Sequence, residues 1–174
     1  MSTLDNILKL RLLKGIETKP IVVPDYLAAF EAAGLELKDA IKRSFKRSLH
    51  IREVDTGSCG ACESEIIAAT NPLYDIQRFG ISFVASPRHA DALLVTGPVS
   101  KNMRLALQKT YDAVPAPKFV ITLGNCALDG GLFKGSYYTE GGVGKVLPVA
   151  LHIPGCPPTP LEIVKQLLVF IKQL

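Results

Sequence analysis

Four cysteines in three separate segments place the strongest constraint on what this chain can fold into. Cys59 and Cys62 form a C-x2-C pair, whereas Cys126 and Cys156 each stand alone much further along the chain. The 174 residues contain no other cysteine. Each segment is rich in glycine or proline and follows an apolar run, which is the pattern of a loop after a strand. A fold that uses the four thiols together must therefore bring three distant loops to one place.

Apolar runs and amphipathic stretches alternate along most of the chain. The runs predict strands and the amphipathic stretches predict helices. The strands are expected at residues 49–54, 79–85, 92–96, 119–123 and 146–153, and the helices at residues 62–70, 101–111 and 160–174. Glycine-rich residues 128–145 predict a long irregular loop. This alternation is typical of an α/β fold, in which an open parallel sheet carries helices on both faces.

The first 48 residues differ from the rest of the chain in charge. The whole chain has a formal net charge of +4, and most of the excess of Lys and Arg falls in this part. Residues 4–14 have the spacing of an amphipathic helix, and residues 25–47 predict a helix in two pieces broken at Gly34. We expect residues 1–48 to form a basic, partly helical docking arm, and residues 49–174 to form the cysteine-containing domain.

The composition argues against several classes of function. Hydrophobic residues make up 48% of the chain, which suits a folded domain with a sizeable core. There is no Trp and no nucleic-acid-binding motif, so nucleic acid is not an expected partner. Because we find neither a secretory signal nor an apolar run long enough to span a membrane, we expect an intracellular chain. In that compartment cysteines are more often metal ligands or catalytic groups than disulfides.

The expected position of the cysteines favours a metal cluster. Cys59 and Cys62 follow the first predicted strand, Cys126 follows the fourth, and Cys156 follows the fifth. The carboxyl ends of parallel strands meet at one edge of a sheet, where ligands bind. Thiolates are soft ligands, and a cubane [4Fe–4S] cluster takes four of them, one for each iron. We therefore interpret the four cysteines as the ligands of one such cluster.

Three other interpretations of the cysteines stay open at this point. Four thiolates can bind a structural zinc ion, although such sites usually contain two C-x2-C pairs close together. Cys59 and Cys62 alone can form a redox-active dithiol at the start of a helix, which gives Cys126 and Cys156 no role. The T-G-S-C-G-A-C segment can also bind the phosphate of a nucleotide or flavin, although no complete glycine motif for that purpose is present.

Four segments resemble the small subunit of group 4 membrane-bound [NiFe] hydrogenases, and most nearly that of the formate-hydrogenlyase type. They are D-T-G-S-C-G-A-C-E-S-E-I, R-F-G-I-S-F-V-A-S-P-R-H-A-D-A-L-L-V-T-G-P-V, L-G-N-C-A-L-D-G-G-L-F and I-P-G-C-P-P-T-P. This hydrogenase family is homologous to the 20 kDa-type cluster subunit of respiratory complex I. The resemblance extends in order over about residues 43–170. It implies a flavodoxin-like fold and a single [4Fe–4S] cluster with Cys59, Cys62, Cys126 and Cys156 as its ligands.

The resemblance also implies a set of partners. The cluster would pass single electrons to or from a nickel–iron site in a hydrogenase large subunit, so this chain would belong to an oxidoreductase without being catalytic alone. Membrane subunits would hold the complex, with this chain peripheral at the cytoplasmic face. Other hydrogenase small subunits continue into a second region of cysteines, whereas this chain has no spare cysteine. We therefore expect a separate ferredoxin-like iron–sulfur subunit to exchange electrons with it.

The first cysteine motif separates the hydrogenases from their quinone-reducing relatives. Complex I subunits of this kind carry two adjacent cysteines there, whereas Cys59 and Cys62 have the C-x2-C spacing of the hydrogenases. The resemblance therefore favours H2 evolution or oxidation at the partner. The alternative is a complex I-like assembly without nickel that reduces a quinone or a sulfur compound.

Several residues outside the cysteine set are further candidates. Glu65 matches the family's C-x-x-C-x-x-E pattern and is a candidate for proton transfer. The candidates for the subunit interface are Glu63, Arg88 and His89. Taken without the resemblance, Glu63 is a first-turn carboxylate that favours the helix dipole, and Arg88 is a surface ion-pair former. The other two histidines, His50 and His152, fall in predicted strands, where a packed neutral imidazole is expected.

Overall fold

The computed structural model describes residues 25–174. The amphipathic helix predicted at residues 4–14 lies outside this part of the chain. The described strands are β1 (Leu49–Asp55), β2 (Ile81–Phe83), β3 (Ala92–Thr96), β4 (Phe119–Leu123) and β5 (Leu151–Ile153). The described helices are α1 (Asp25–Phe45), α2 (Ala61–Ala69), α3 (Lys101–Ala113), α4 (Asn125–Asp129) and α5 (Pro160–Ile171). Short 3₁₀ turns lie at Ile76–Phe79, Pro87–His89, Gly131–Phe133 and Val143–Lys145.

The five strands form one parallel sheet. Their order across the sheet is β2-β1-β3-β4-β5, and every neighbouring pair is parallel. This is the strand order of the flavodoxin-like doubly wound fold. The predicted open parallel sheet is therefore confirmed, and the carboxyl ends of the strands lie at one edge, as expected.

The sheet separates two hydrophobic layers, because successive residues of a strand point to opposite faces. All of β3 is buried. Its Leu94 packs in the layer that contains α1, α2 and α5, whereas Leu93 and Val95 pack in the layer that contains α3 and α4. In β4, Ile121 and Val120 divide between the two layers in the same way. Helices therefore cover both faces of the sheet.

Helix α1 is continuous, so the break predicted at Gly34 is wrong. Gly34 is buried against Phe79, and a Cβ built at position 34 would collide with atoms of the Phe79 ring. Glycine is needed here because the helix backbone lies close to an aromatic ring. The lower helix propensity of one glycine destabilises the helix only slightly.

Helix α1 packs inside the domain and contributes to its core. Leu37 and Ile41 are buried in the same layer as α5 and the sheet. The backbone N–H of Leu161, at the start of α5, donates to Tyr26 Oη at 3.1 Å. Residues 25–45 therefore share one core with residues 49–174. The earlier part of the expected docking arm lies outside the described residues.

Two predicted strands are shorter than expected. The segment predicted at residues 79–85 contains only the three-residue strand β2, because Gly80, with φ +87°, ends the preceding 3₁₀ turn. The segment predicted at residues 146–153 contains only β5, since Pro148 has no N–H to donate to a neighbouring strand. Residues 128–145 run through the end of α4 and two 3₁₀ turns, and contain no strand.

Candidate metal centre

The structure brings the four cysteines to the carboxyl edge of the sheet. Cys59 lies in the loop after β1, and Cys62 is in the first turn of α2. Cys126 is in α4, directly after β4, and Cys156 follows β5. All four are free thiols. They lie close enough that charges on Cys126, Cys59 and Cys156 all act on Cys62.

The folded chain holds two of these thiols in their protonated form. Burial, followed by the charge of Glu63 and of the other cysteines, raises the pKa of Cys62 to about 12. Burial also raises the pKa of Cys126, although a hydrogen bond from the backbone N–H of Leu132 acts in the opposite direction. Thiolates gathered this closely repel one another, and a bound cation removes that repulsion. The site therefore favours thiolates only when positive charge lies among them.

Glycines leave the space that the sulfur atoms occupy. Gly124 has φ +83°, and a Cβ at this position would lie 2.7 Å from Cys62 Sγ. A Cβ at Gly131, with φ +49°, would lie 3.0 Å from Cys126 Sγ. A side chain at either position would push a thiol out of place. The two loops therefore form a cradle in which backbone, not side chains, surrounds the cysteines.

Two polar side chains fix the loops that carry the cysteines. Asp55 Oδ1 accepts hydrogen bonds from the backbone N–H groups of Gly57 and Ser58, at 2.8 and 2.7 Å. Asn125 Oδ1 accepts from the N–H of Gly155 at 3.1 Å, and the N–H of Asn125 donates to the Gly155 carbonyl at 2.9 Å. Asn125 thereby ties the Cys126 loop to the Cys156 loop. Neither residue is predicted from the sequence.

The geometry weighs against the other interpretations of the cysteines. Within residues 25–174, no three Cys, His, Asp or Glu side chains converge on a position for one metal ion, which a tetrahedral zinc site requires. A redox-active dithiol would use only Cys59 and Cys62, whereas the structure brings Cys126 and Cys156 to the same edge of the sheet. The Asp55 carboxylate occupies the N–H groups of the first loop, where a phosphate would need them. A cluster that takes one thiolate per iron is the group that suits four thiols spread over three loops.

The comparison with protein families decides which family the chain represents. A family model described as "NADH ubiquinone oxidoreductase, 20 Kd subunit" matches residues 59–170. The match begins at the first cysteine and includes the other three. The chain belongs to this family. The resemblance of the sequence to this family, the 20 Kd subunit family, is therefore confirmed.

Relatives within the 20 Kd subunit family include hydrogenase subunits. Formate hydrogenlyase subunit 7 of Escherichia coli is 42% identical over 90% of this chain, which spans only 58% of that subunit's length. The probable membrane-bound hydrogenase subunit mbhJ of Pyrococcus furiosus is 42% identical, over 74% of this chain and 77% of its own length.

A solved structure supports the fold. A chain of the membrane-bound sulfane sulfur reductase, an archaeal respiratory membrane complex, superposes with a TM-score of 0.64 and 31% identity. The match covers 79% of this chain and 77% of that one. None of the helices described in residues 25–174 is both long enough and apolar enough to cross a membrane.

One carboxylate of this 20 Kd family member, Glu63, lies next to Cys62, and a second, Glu53, lies near Glu63. Both carboxylate oxygens of Glu63 are buried without a hydrogen-bond partner among the described residues, as is Oε1 of Glu53. Burial, followed by the charges of Glu63 and Asp55, raises the pKa of Glu53. Glu53 is not predicted from the sequence, because a lone Glu in a strand belongs to no motif. Glu65 lies on α2 and its side chain makes no hydrogen bond with the described residues.

Arg88 and His89 lie away from the cysteines. They form the 3₁₀ turn before β3, at the opposite end of the sheet from the carboxyl edge. The structure therefore does not bring these two candidates together with Glu63 or Glu65. His152 Nδ1 lies 2.9 Å from Thr122 Oγ1, and burial lowers the pKa of His152, which agrees with the neutral packed imidazole expected there.

Proposed function

We propose that this chain is the electron-transfer small subunit of a membrane-associated [NiFe] hydrogenase complex. Cys59, Cys62, Cys126 and Cys156 bind one [4Fe–4S] cluster in this proposal. The observation that supports it is that four free thiols, carried by three loops, lie at the carboxyl edge of the sheet. When bound, the cluster accepts and releases single electrons.

The chain's own residues suit this role. Gly124 and Gly131 leave room beside the sulfur atoms of Cys62 and Cys126. The N–H of Leu132 donates to Cys126, and such hydrogen bonds to cluster ligands tune a reduction potential. The half-buried position of Cys62 keeps one side of the site from water, whereas the exposed Cys59 and Cys156 lie where a partner subunit can approach.

Two observations favour H2 as the substrate of the partner subunit. They are the C-x2-C spacing of Cys59 and Cys62, and the names of the formate hydrogenlyase and membrane-bound hydrogenase relatives. In this proposal a large subunit holds the nickel–iron centre and a ferredoxin-like subunit exchanges electrons with the cluster. Glu65 remains a proposed proton carrier, and Glu63, Arg88 and His89 remain proposed interface residues. The second candidate is a complex I-like quinone- or sulfur-reducing assembly without nickel, which the similarity to the sulfane sulfur reductase favours.

The location at the membrane is also a proposal. The membrane-bound hydrogenase relative and the sulfane sulfur reductase are named as membrane-bound. We place this chain as a peripheral subunit at the cytoplasmic face, held there by membrane subunits and by the part of the basic docking arm that precedes residue 25.

Metal and sulfide analysis of the anaerobically purified complex tests the cluster. We expect about four iron atoms and four sulfides for this subunit, and their loss together with turnover in Cys126→Ser. Ala150→Ser, which adds the same hydroxyl at an exposed loop position, should keep the full iron content. Stoichiometric zinc without sulfide, or full iron content in Cys126→Ser, would overturn the ligand assignment.

Nickel analysis of the same complex separates the two candidate functions. A nickel atom in the large subunit and H2-dependent reduction of a dye would support the hydrogenase. An intact cluster in a complex without nickel, with no H2 activity, would leave the ligand assignment standing and favour the sulfur- or quinone-reducing candidate.

A further inference from the structure

A second site lies at the end of the sheet opposite the cysteines. It is a cleft of about 950 Å³ between the end of α1, the segment after β2 and the loop before β4. Phe45, Val84, Pro115 and Pro117 give it an apolar wall. Its charged and ionisable lining residues are Arg47, His50, Arg88, His89 and Asp91. The cleft therefore combines apolar side chains with arginines, and its volume is in the range of small-molecule sites.

The single carboxylate of this cleft is already neutralised. Arg47 Nη2 donates to Asp91 Oδ1 at 2.6 Å, and Nη1 donates to Oδ2 at 3.0 Å. The backbone N–H of His50 also donates to Asp91 Oδ2 at 2.9 Å. Such a two-point pair satisfies both the guanidinium and the carboxylate. Asp91 therefore has little charge left to offset the other cation of the cleft, Arg88.

The backbone of Arg88 is held in a turn, and its side chain has no anionic partner among the described residues. Its backbone N–H donates to Ser86 Oγ, which caps the 3₁₀ turn Pro87–His89. Its guanidinium makes neither a hydrogen bond nor an ion pair with any residue in the described range 25–174. A second contact holds this turn, because the His89 carbonyl oxygen lies 3.2 Å from His50 Nδ1. A guanidinium on a fixed turn, facing a cleft and lacking a carboxylate, is suited to an anion supplied from outside.

Positive charge extends from the cleft along the end of α1. Lys42 and Arg43 lie in the last turn of the helix, and Lys46 follows it. The next residue, Arg47, and the preceding Phe45 line the cleft itself. Lys42, Arg43 and Lys46 do not line the cleft, but they are near it in sequence. The cleft itself combines an unpaired arginine with apolar side chains, which suits a ligand with an anionic head and an apolar chain.

We propose that this cleft binds an acidic phospholipid, with the headgroup phosphate at Arg88 and the acyl chain against Phe45, Val84 and the two prolines. Guanidinium groups pair well with phosphate oxygens, and the apolar wall gives the chain a place out of water. This inference does not depend on the cysteines or on the proposed hydrogenase function, but it replaces the interface role proposed above for Arg88 and His89, since both residues line the cleft that the lipid would occupy. Its failure would leave the cysteine site and the hydrogenase function untouched.

Titration calorimetry on the purified full-length chain tests the proposal with three probes. These are a short-chain phosphatidylglycerol below its micelle concentration, the matching phosphatidylcholine, and inorganic phosphate. We expect the phosphatidylglycerol to bind at least about tenfold more tightly than either of the others, since only it combines negative charge with an apolar chain. Equal affinity for phosphatidylcholine, equal affinity for inorganic phosphate, or no binding at all would overturn the proposal.

Two charge-removing variants locate the site. Arg88→Gln should weaken phosphatidylglycerol binding by about five- to tenfold, because the cation facing the phosphate is lost. Lys165→Gln removes the same charge from an exposed position on α5 and should leave the affinity unchanged. Arg88 is exposed and its side chain forms no bonds within the described residues, so both variants should fold, which circular dichroism checks. Equal weakening by the two substitutions would reduce the binding to non-specific charge attraction and contradict the assigned cleft.

Discussion

Glu53 is the residue whose environment most clearly opposes its ordinary charge state. It lies on β1, half-buried, with Glu63 and Asp55 as negative neighbours and only Arg52 as a positive one. Burial is the largest of the effects that raise its pKa. A carboxyl whose pKa is higher in the folded than in the unfolded chain binds more protons when folded. Its ionisation therefore costs stability as the pH rises from the unfolded value of 4.5 through the folded one.

We predict that Glu53→Gln stabilises the folded chain, and increasingly so as the pH rises. The amide keeps the shape and the hydrogen-bonding capacity while it removes the charge. Urea unfolding of wild type and variant, from about pH 4 to about pH 8, measures the difference in free energy at each pH. The difference should be smallest at the acid end.

Glu36→Gln is the matched control for this measurement. The pKa of Glu36 is lowered by its hydrogen bond to Lys172 and by the charge of Lys172. Its small contribution to stability is therefore present above pH 4.5 and lost as the pH falls below that. This variant should be slightly less stable than wild type at neutral pH. A Glu53→Gln variant that behaved in the same way would show that the Glu53 carboxylate is well solvated.

Site residues in segments of unusual amino-acid composition could be predicted from the sequence. Site residues in segments of ordinary composition could not. The four cysteines stand out because each lies in its own glycine- or proline-rich loop after a strand. Asp55 and Asn125 hold those loops, but Asp and Asn are common in any loop. Glu53 is notable only because it lies close in space to Glu63, which is on another element. Sequence reveals donor atoms of a site more readily than the side chains that position them.

Among the secondary-structure elements, the bounds of strands that are buried on both faces could be predicted from the sequence. β3 and β4 begin and end at the predicted residues, since they are central strands covered on both sides and read as continuous apolar runs. β2 and β5 are the edge strands, and Gly80 and Pro148 interrupt their apolar runs. Gly34 misled the helix prediction because glycine as a helix breaker and glycine as a packing residue look the same in sequence.

We predict that Gly34→Ala destabilises the chain by about 1–2 kcal/mol. Alanine is better than glycine in a helix by about 1 kcal/mol. The added methyl group, however, would collide with the Phe79 ring, which is itself buried beneath Phe30. Overpacking of this kind costs about 1–3 kcal/mol. Because the colliding atoms belong to a confined ring and not to a flexible chain end, we expect the packing cost to exceed the propensity gain in urea unfolding.

Gly144→Ala is the control, since no atom lies within 4 Å of a Cβ at Gly144. We expect its effect to stay within about 0.5 kcal/mol. A second variant, Phe79→Leu, removes part of the ring that the new methyl group meets. Adding Gly34→Ala to Phe79→Leu should cost less than adding it to wild type. A gain of stability in Gly34→Ala alone would refute close packing of α1 on Phe79.

For the whole molecule, α1 is one of the three helices that cover one face of the sheet. It packs beside α5 on the same face of the sheet, and Phe30, Leu37 and Ile41 are each no more than 2% exposed. Lys172 at the end of α5 also donates to Glu36 of α1 at 2.8 Å. A charge pattern suggested a division near residue 48, but burial at these positions unites the two sides in one core. Charge is a property of the surface, whereas the extent of a folding unit is set by the core.

We predict that a chain truncated to residues 49–174 does not fold cooperatively, whereas one truncated to residues 25–174 does. Full burial of a large apolar side chain contributes about 1.5–3 kcal/mol, so loss of Phe30, Leu37 and Ile41 alone removes roughly 5–9 kcal/mol. Domains of this size are stable by only about 5–15 kcal/mol, and the truncation would also expose the inner face of α5. Thermal unfolding followed by circular dichroism should give a sigmoidal transition for residues 25–174 and a shallow one for residues 49–174. A cooperative transition in the shorter chain would mean that α1 is an accessory of the domain, and that the core formed by the sheet and α5 is sufficient without it.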